Sequence, residues 1–184
     1  MRIFFAIPLP EPALDAVAEA LAPIRNGALP SGSRAIGWTR RNHLHLTLRF
    51  LGEVEEARIE AVGDAVAPWV RRLPPPRVRL VGGGVFPDAR HPKVLWIGAE
   101  AALGPVVSAM EGALSRLGFA PEGRAFIPHL TVGRVRDGRV DRVLDALRDL
   151  GEVTTFSPES VVLYESRPAP EGVRYVALRT FRVE

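Results

Sequence analysis

HLHLTLRF, residues 43–50, and PHLTVGR, residues 128–134, place two of the chain's four histidines in one short phrase: His, Leu, Thr and then an aliphatic residue. Both stretches are rich in aliphatic and β-branched side chains, which predicts strands, and each is followed by a helical pattern. Side chains alternate across a strand, so His45 and Thr47 are expected on one face and Leu44, Leu46, Leu48 and Phe50 on the other. The leucine face is predicted to enter the core. By the same rule His129 and Thr131 stand together, opposite Leu130 and Val132, while Pro128 suits an edge or a strand start. Met singly, such a phrase is an ordinary half-exposed strand. Met twice, ahead of a helix each time, it is what two symmetric strands would present to one shared groove.

Outward from these phrases, RIFFAIPL at 2–9 predicts a buried strand, and Pro10-Glu11-Pro12 opens an amphipathic helix reaching Arg25. Residues 26–37, rich in Gly, Ser and Pro, predict a loop. A strand over 42–51 is followed by Gly52 and an acidic helix start at 53–56, suited to the positive end of a helix dipole, with the helix ending near Val70. Leu73-Pro74-Pro75-Pro76 is the strongest punctuation and predicts a lobe boundary, followed by a strand at 77–81 and a turn at Gly82-Gly83-Gly84. Beyond it the pattern predicts a strand at 93–98, a helix at 104–117, the second phrase within 125–135, a helix at 140–150, and strands at 152–156, 160–165 and 173–181. With no steady βαβ rhythm and no glycine-rich dinucleotide turn, the order favours α+β over a doubly wound sheet. The expected architecture is a two-lobed single domain over residues 1–184, its pseudo-twofold-related sheets flanked by helices around a central groove.

Hydrophobic residues make up 47% of the 184 and charged residues 24%, the balance of a soluble globular protein able to bury a real core. There is no cysteine. A disulfide framework, a thiolate metal site and a thiol nucleophile are thereby excluded, and a reducing compartment is permitted. MRIFFAIPLP lacks the long apolar region and cleavage site of a signal peptide, and no stretch approaches the roughly 18 apolar residues of a membrane span, so a cytoplasmic location without a membrane partner is expected. Net charge is only +3, yet Lys93 is the sole lysine among 24 basic residues. Arginine's planar fork suits phosphate and stacks on bases; a GC-rich coding bias explains the same composition without any such partner.

Two histidines can supply what phosphodiester chemistry at a ribose requires. A neutral imidazole takes a proton from the attacking oxygen while an imidazolium protonates the departing one, and an unperturbed pKa near 6.5 makes both states accessible. Each threonine can donate a hydrogen bond to a phosphate oxygen. Such a site needs no cofactor and no metal.

The chain resembles the two-histidine phosphoesterases with paired His-x-Thr-x motifs, and within them the RNA 2′,3′-cyclic phosphodiesterases, also called 2′-5′ RNA ligases. The resemblance runs through RIFFAIPLP, WTRRNHLHLTLRFLGEV around His45, GGVFPDARHPKVLWIG from Gly83, RAFIPHLTVGR around His129, and LYESR from Leu163. It implies that His45 is the proton donor to the leaving oxygen, that His129 accepts a proton from water, and that Thr47 and Thr131 bind phosphate. It implies hydrolysis of an RNA-terminal 2′,3′-cyclic phosphate to a 2′-phosphomonoester, with reversible, ATP-independent 2′-5′ ligation as a side reaction. A monomer without an obligate protein partner is expected. Val132, where the family often carries Leu, is a conservative departure.

Other residues keep competing roles. His43 would share the strand face of His45 and form a metal pair with it, completed by His91 or His129, or else stand at the groove's rim. His91 lies in a turn. Arg124 is a candidate for contact with RNA phosphate, and Phe126 for core packing or base stacking. Arg40, Arg41, Arg49, Arg134 and Arg136 would form a basic rim, with Arg134 alternating away from His129 and Thr131. Trp38 and Trp96 are expected in the core or between lobes. A rival function from another class is a non-catalytic RNA-binding module whose histidines merely line a sheet.

Overall fold

The structure is a computed structural model that describes residues 1–29, 33–72, 77–170 and 172–183. The boundary predicted at Leu73-Pro74-Pro75-Pro76, and residues 30–32 of the predicted loop, lie outside the described residues. The elements run β1 (Arg2–Pro8), α1 (Glu11–Gly27), β2 (Ile36–Trp38), β3 (His45–Glu53), α2 (Ile59–Arg71), β4 (Val78–Phe86), β5 (Val94–Glu100), α3 (Gly104–Arg116), β6 (His129–Val135), α4 (Asp141–Arg148), β7 (Glu152–Phe156), β8 (Ser160–Ala169) and β9 (Gly172–Arg182).

All described strands pair antiparallel in one nine-stranded sheet, ordered β7-β4-β5-β6-β3-β1-β8-β9, with β2 also on β6. The α+β class and the two related halves are as expected; the two sheets are continuous, joined where Leu46 of β3 faces Leu130 of β6. One half is β3-β1-β8-β9 and the other β6-β5-β4-β7. Each is built on the same strand-helix-strand unit, β1-α1-β3 and β5-α3-β6. The helices cross over: α1 packs on β7 and α4 in the second half, while α3 packs on α2, which covers β9 in the first.

Helices cover one face of the sheet. Ile3, Phe5 and Ile7 of β1, Leu95 and Ile97 of β5, and Leu46 and Leu130 turn toward it and join one cluster with Val17, Leu21, Val66, Met110 and Leu147. Every one of these side chains is at most 1% exposed. Fully burying each such side chain is worth roughly 1.5–3 kcal/mol, so the cluster holds both halves. The opposite face is left open.

Three elements depart from expectation. The loop predicted over 26–37 ends in strand β2, whose Ile36 and Gly37 pair with Val135 and Arg134 of β6. Of the acidic stretch at 53–56 only Glu56 starts the helical segment, opening a 3-10 turn over Glu56–Arg58 that leads into α2 at Ile59; before it, the Val54 amide donates to the Met1 carbonyl at 2.8 Å and draws the chain along the sheet. Gly82, Gly83 and Gly84 lie within β4 rather than in a turn. A Cβ on Gly84 would stand 2.5 Å from Trp96 Cζ2, so the glycine lets the indole lie flat on the strand.

Candidate active site

Antiparallel pairing of Leu46 with Leu130 fixes the site's geometry. Extending that register one residue each way sets His45 beside Thr131 and Thr47 beside His129, and since both leucines point to the helices, all four side chains point to the open face. The two histidines are then diagonal neighbours, about 7–8 Å apart at the backbone, a span that one phosphate group contacted from both sides fills. The four residues are brought together.

Both imidazoles are oriented in the same way. His45 Nδ1 lies 2.7 Å from the His43 carbonyl, and His129 Nδ1 lies 2.8 Å from the Ile127 carbonyl. A carbonyl only accepts, so Nδ1 carries the proton in each ring and Nε2 is left to exchange protons with a ligand. His43 itself ends a short 3-10 turn, Arg41–His43, instead of lying on the strand, because the chain must bend there to return its carbonyl to His45. Among the described residues, no group of three or more His, Asp or Glu side chains is arranged to hold a metal ion.

The surroundings of the two rings differ. His45 is packed against Phe4 at 5.0 Å between ring centroids, Tyr175 at 5.2 Å and Tyr164 at 6.4 Å, and His43 rests on Tyr175 at 4.8 Å. This burial pushes the His45 imidazole down to about 4; the carbonyl of His43 opposes the shift, and repulsion from the His43 and His129 rings adds to it. Among the described residues His129 has one ring neighbour, Phe86, edge-on at 5.0 Å. Burial likewise raises both tyrosine hydroxyls above their usual range.

A bulge follows each motif and revises the predicted faces. On β3, Phe5 pairs with Arg49 and Ala6 with Thr47, so Leu48 has no partner across from it; on β6, Leu95 pairs with Gly133 and Trp96 with Thr131, so Val132 is skipped. After each extra residue the alternation inverts. Arg49, predicted for the basic rim, therefore turns inward, 5% exposed, where it pairs with Glu111 of α3 and donates to the carbonyls of Phe50 and Ala120. Phe50, predicted for the core, returns to the open face and stacks on Phe4 under the Arg2 guanidinium. Arg134, predicted to point away, also returns to the open face: it is exposed, and its charge is felt by the Tyr175 hydroxyl. This arginine is the site residue that simple alternation misses. Gly133 beside Val132 is the only local sign of the bulge.

Of the remaining candidates, Trp96 borders this cluster, against the expectation of a core or inter-lobe place, and the others stay apart from it. Arg124 is exposed on the coil before β6, and no contact among the described residues ties it to the histidines. Phe126 packs against the hydrophobic core, the first of its two predicted roles. His91 is a surface residue 3.6 Å from Asp88, and Arg41 is held by Glu11 and Asp15. Trp38 packs on the core under Arg25, and Trp96 lies on the open face beside Thr131, against Phe86.

Comparison with known proteins gives the family. The model of the LigT-like phosphoesterases matches residues 7–96 and 98–175. An RNA 2′,3′-cyclic phosphodiesterase of Methanothermobacter thermautotrophicus is 30% identical over 188 aligned positions, covering 100% of this chain and 99% of its own. Among solved structures, TT0787 of Thermus thermophilus superposes with a TM-score of 0.82 at 28% identity over 100% of this chain and 98% of its own. E. coli LigT complexed with 3′-AMP gives 0.73 at 25% identity over 99% and 97%. With a family model matched along most of its length and a full-length relative at 30% identity, the chain belongs to the LigT-like phosphoesterase family.

Proposed function

We propose that the protein hydrolyses RNA-terminal 2′,3′-cyclic phosphates to 2′-phosphomonoesters, with His45 and His129 transferring the protons and residues 1–184 acting as one two-lobed domain. The observation that carries this is the matched carbonyl anchor: two rings on adjacent strands, each held by Nδ1, each with Nε2 free toward one open face. The name borne by the Methanothermobacter relative supports the substrate class.

In the reaction a water oxygen bonds to phosphorus as the P–O3′ bond breaks. One Nε2 takes the proton from water and the other Nε2–H gives a proton to O3′, so the elements of water are added across the bond and the enzyme pair is left with its protons exchanged. Thr47, Thr131 and Arg134 hold the non-bridging oxygens and offset the developing charge. The family resemblance makes His45 the donor and His129 the acceptor, and the surroundings favour that order. His129 borders solvent, from which water comes, while the aromatic wall around His45 shields the leaving oxygen. Burial keeps His45 neutral until an anion arrives; the substrate's phosphate then favours the imidazolium and loads the donor. A 5′-hydroxyl in place of water gives a 2′-5′ linkage by the same bond exchange, without ATP. The proposal extends to a monomer working in the cytoplasm, without metal or organic cofactor.

Purified protein incubated with a 2′,3′-cyclic nucleotide in EDTA is expected to turn it over. His45→Ala or His129→Ala is expected to reduce the rate by at least about 100-fold each while circular dichroism and melting stay native. Turnover that EDTA removes would mean metal catalysis, binding without turnover would mean an RNA-binding module, and normal activity in either variant would refute the pair.

A further inference from the structure

The two halves are alike in backbone and unlike in what their open faces carry. Outside the four motif residues, the first half presents Phe50 under Arg2, then Tyr164 and Tyr175 on the β8–β9 hairpin. Beyond them the hairpin register, Ser166 with Tyr175 and Pro168 with Val173, carries the same face outward, and Val173 is 41% exposed. Arg2 and Arg134, whose charges both reach the Tyr175 hydroxyl, enter no ion pair among the described residues. In the second half the corresponding outer face holds Arg79 between Glu100 at 2.6 Å and Glu152 at 3.3 Å. That arginine is already matched by carboxylates, and with the charge of Arg77 also acting on Glu152 the patch is close to neutral. A polyanion leaving the central site finds cations already matched by carboxylates on the second side, and on the first it meets Arg2 and Arg134 and flat apolar surface.

We propose that the open face of the β8–β9 hairpin is a track for the single-stranded RNA on the 5′ side of the cyclic phosphate. The proposal rests on the phosphoesterase reading of the central site and adds a direction to it. The terminal base lies against Tyr164 and Tyr175, the phosphate 5′ to that nucleoside is drawn by Arg2, and the preceding base rests on Val173. Stacking on such a wall accepts any base, so the track selects for single-stranded RNA over mononucleotides without selecting sequence. The half carrying Glu100 and Glu152 stays clear of the chain.

The test compares a 2′,3′-cyclic mononucleotide with a pentanucleotide ending in a 2′,3′-cyclic phosphate. For the wild type, kcat/KM is expected to favour the pentanucleotide by about tenfold or more at low salt, the advantage shrinking as salt is added. Val173→Asp places a carboxylate on the track and is expected to remove most of that preference through KM, with the mononucleotide within about twofold of wild type. Glu100→Gln, on the other half, is expected to leave the preference unchanged. Anisotropy of a labelled pentanucleotide bearing a 2′-phosphate reads binding without catalysis and should show the same dependence on Val173. No preference for the pentanucleotide, or a preference that responds to Glu100→Gln and not to Val173→Asp, overturns the track. A wild type that turns over neither substrate while the anisotropy still depends on Val173 instead overturns the enzymatic reading and leaves the track standing.

Discussion

His45 combines a reactive ring with a site that resists its protonation. Phe4, Tyr164 and Tyr175 keep water away from it, so the imidazole is held at about 4 against an ordinary value near 6.5. Between those two values the unfolded chain binds a proton at this position and the folded chain does not, so stability rises with pH there and is lost on acidification. The contribution is fully present above about pH 6.5 and falls by about 3 kcal/mol as pH drops toward 4. Replacing the ring with an uncharged amide, His45→Gln, is expected to flatten that part of the profile. Urea unfolding of both proteins at pH 7, 5.5 and 4.5 checks this; parallel curves would mean that the ring is solvated in the fold. Phosphate should flatten the wild-type profile too, because an anion at Nε2 favours the charged ring. The motif residues themselves are legible in the sequence, since a doubled His-x-Thr is visible without coordinates. The inequality of the two histidines is not, because it arises from β1, β8 and β9, which lie far from His45 along the chain.

At the scale of the element, each bulge decides what the strand after its motif does. Up to Thr47 and Thr131 the period of two predicts the faces correctly, and after Leu48 and Val132 it inverts them. Nothing in the letters LRF or VGR announces an extra residue unambiguously, which is why simple alternation puts Arg49, Phe50 and Arg134 each on the wrong face. The three glycines of β4 mislead for a related reason: their local preference is for a turn, and pairing with β5, where the Trp96 ring takes the space beside Gly84, overrides it. The inward arginine carries a consequence for stability. Arg49 ties β3 to Glu111 on α3 and to the Ala120 carbonyl on the segment leading toward β6. Glu122, 3.7 Å from the same guanidinium, is a second and more exposed partner, so Glu111→Ala is expected to cost about 1–3 kcal/mol, whereas the double change Arg49→Met with Glu111→Leu should restore much of it. Chemical denaturation of the three proteins checks the order; a harmless Glu111→Ala would mean that Glu122 and water together satisfy Arg49.

For the molecule as a whole, the two halves are symmetric in plan but cannot be separated in practice. The first half needs β8 and β9 from the end of the chain, and α1, which follows β1, lies against β7 and α4 of the second. The single pairing of Leu46 with Leu130 is thin as sheet, yet the cluster beneath it runs without a break from Ile3 and Val66 to Ile97 and Leu147. Such exchange gives function a mechanical basis: two motifs from opposite halves keep a fixed spacing because neither half exists alone. It also predicts a single cooperative transition in spite of the two-lobed plan. Trp69 on α2 reports on the first half and Trp96 on β5 on the second. Two single-tryptophan proteins, one with Trp38→Phe and Trp96→Phe, the other with Trp38→Phe and Trp69→Phe, should each show a urea transition by fluorescence that coincides with its own far-ultraviolet dichroism. Separate fluorescence and dichroism midpoints within either protein would show that one half unfolds while the other persists, and the fixed spacing of His45 and His129 would then need another origin.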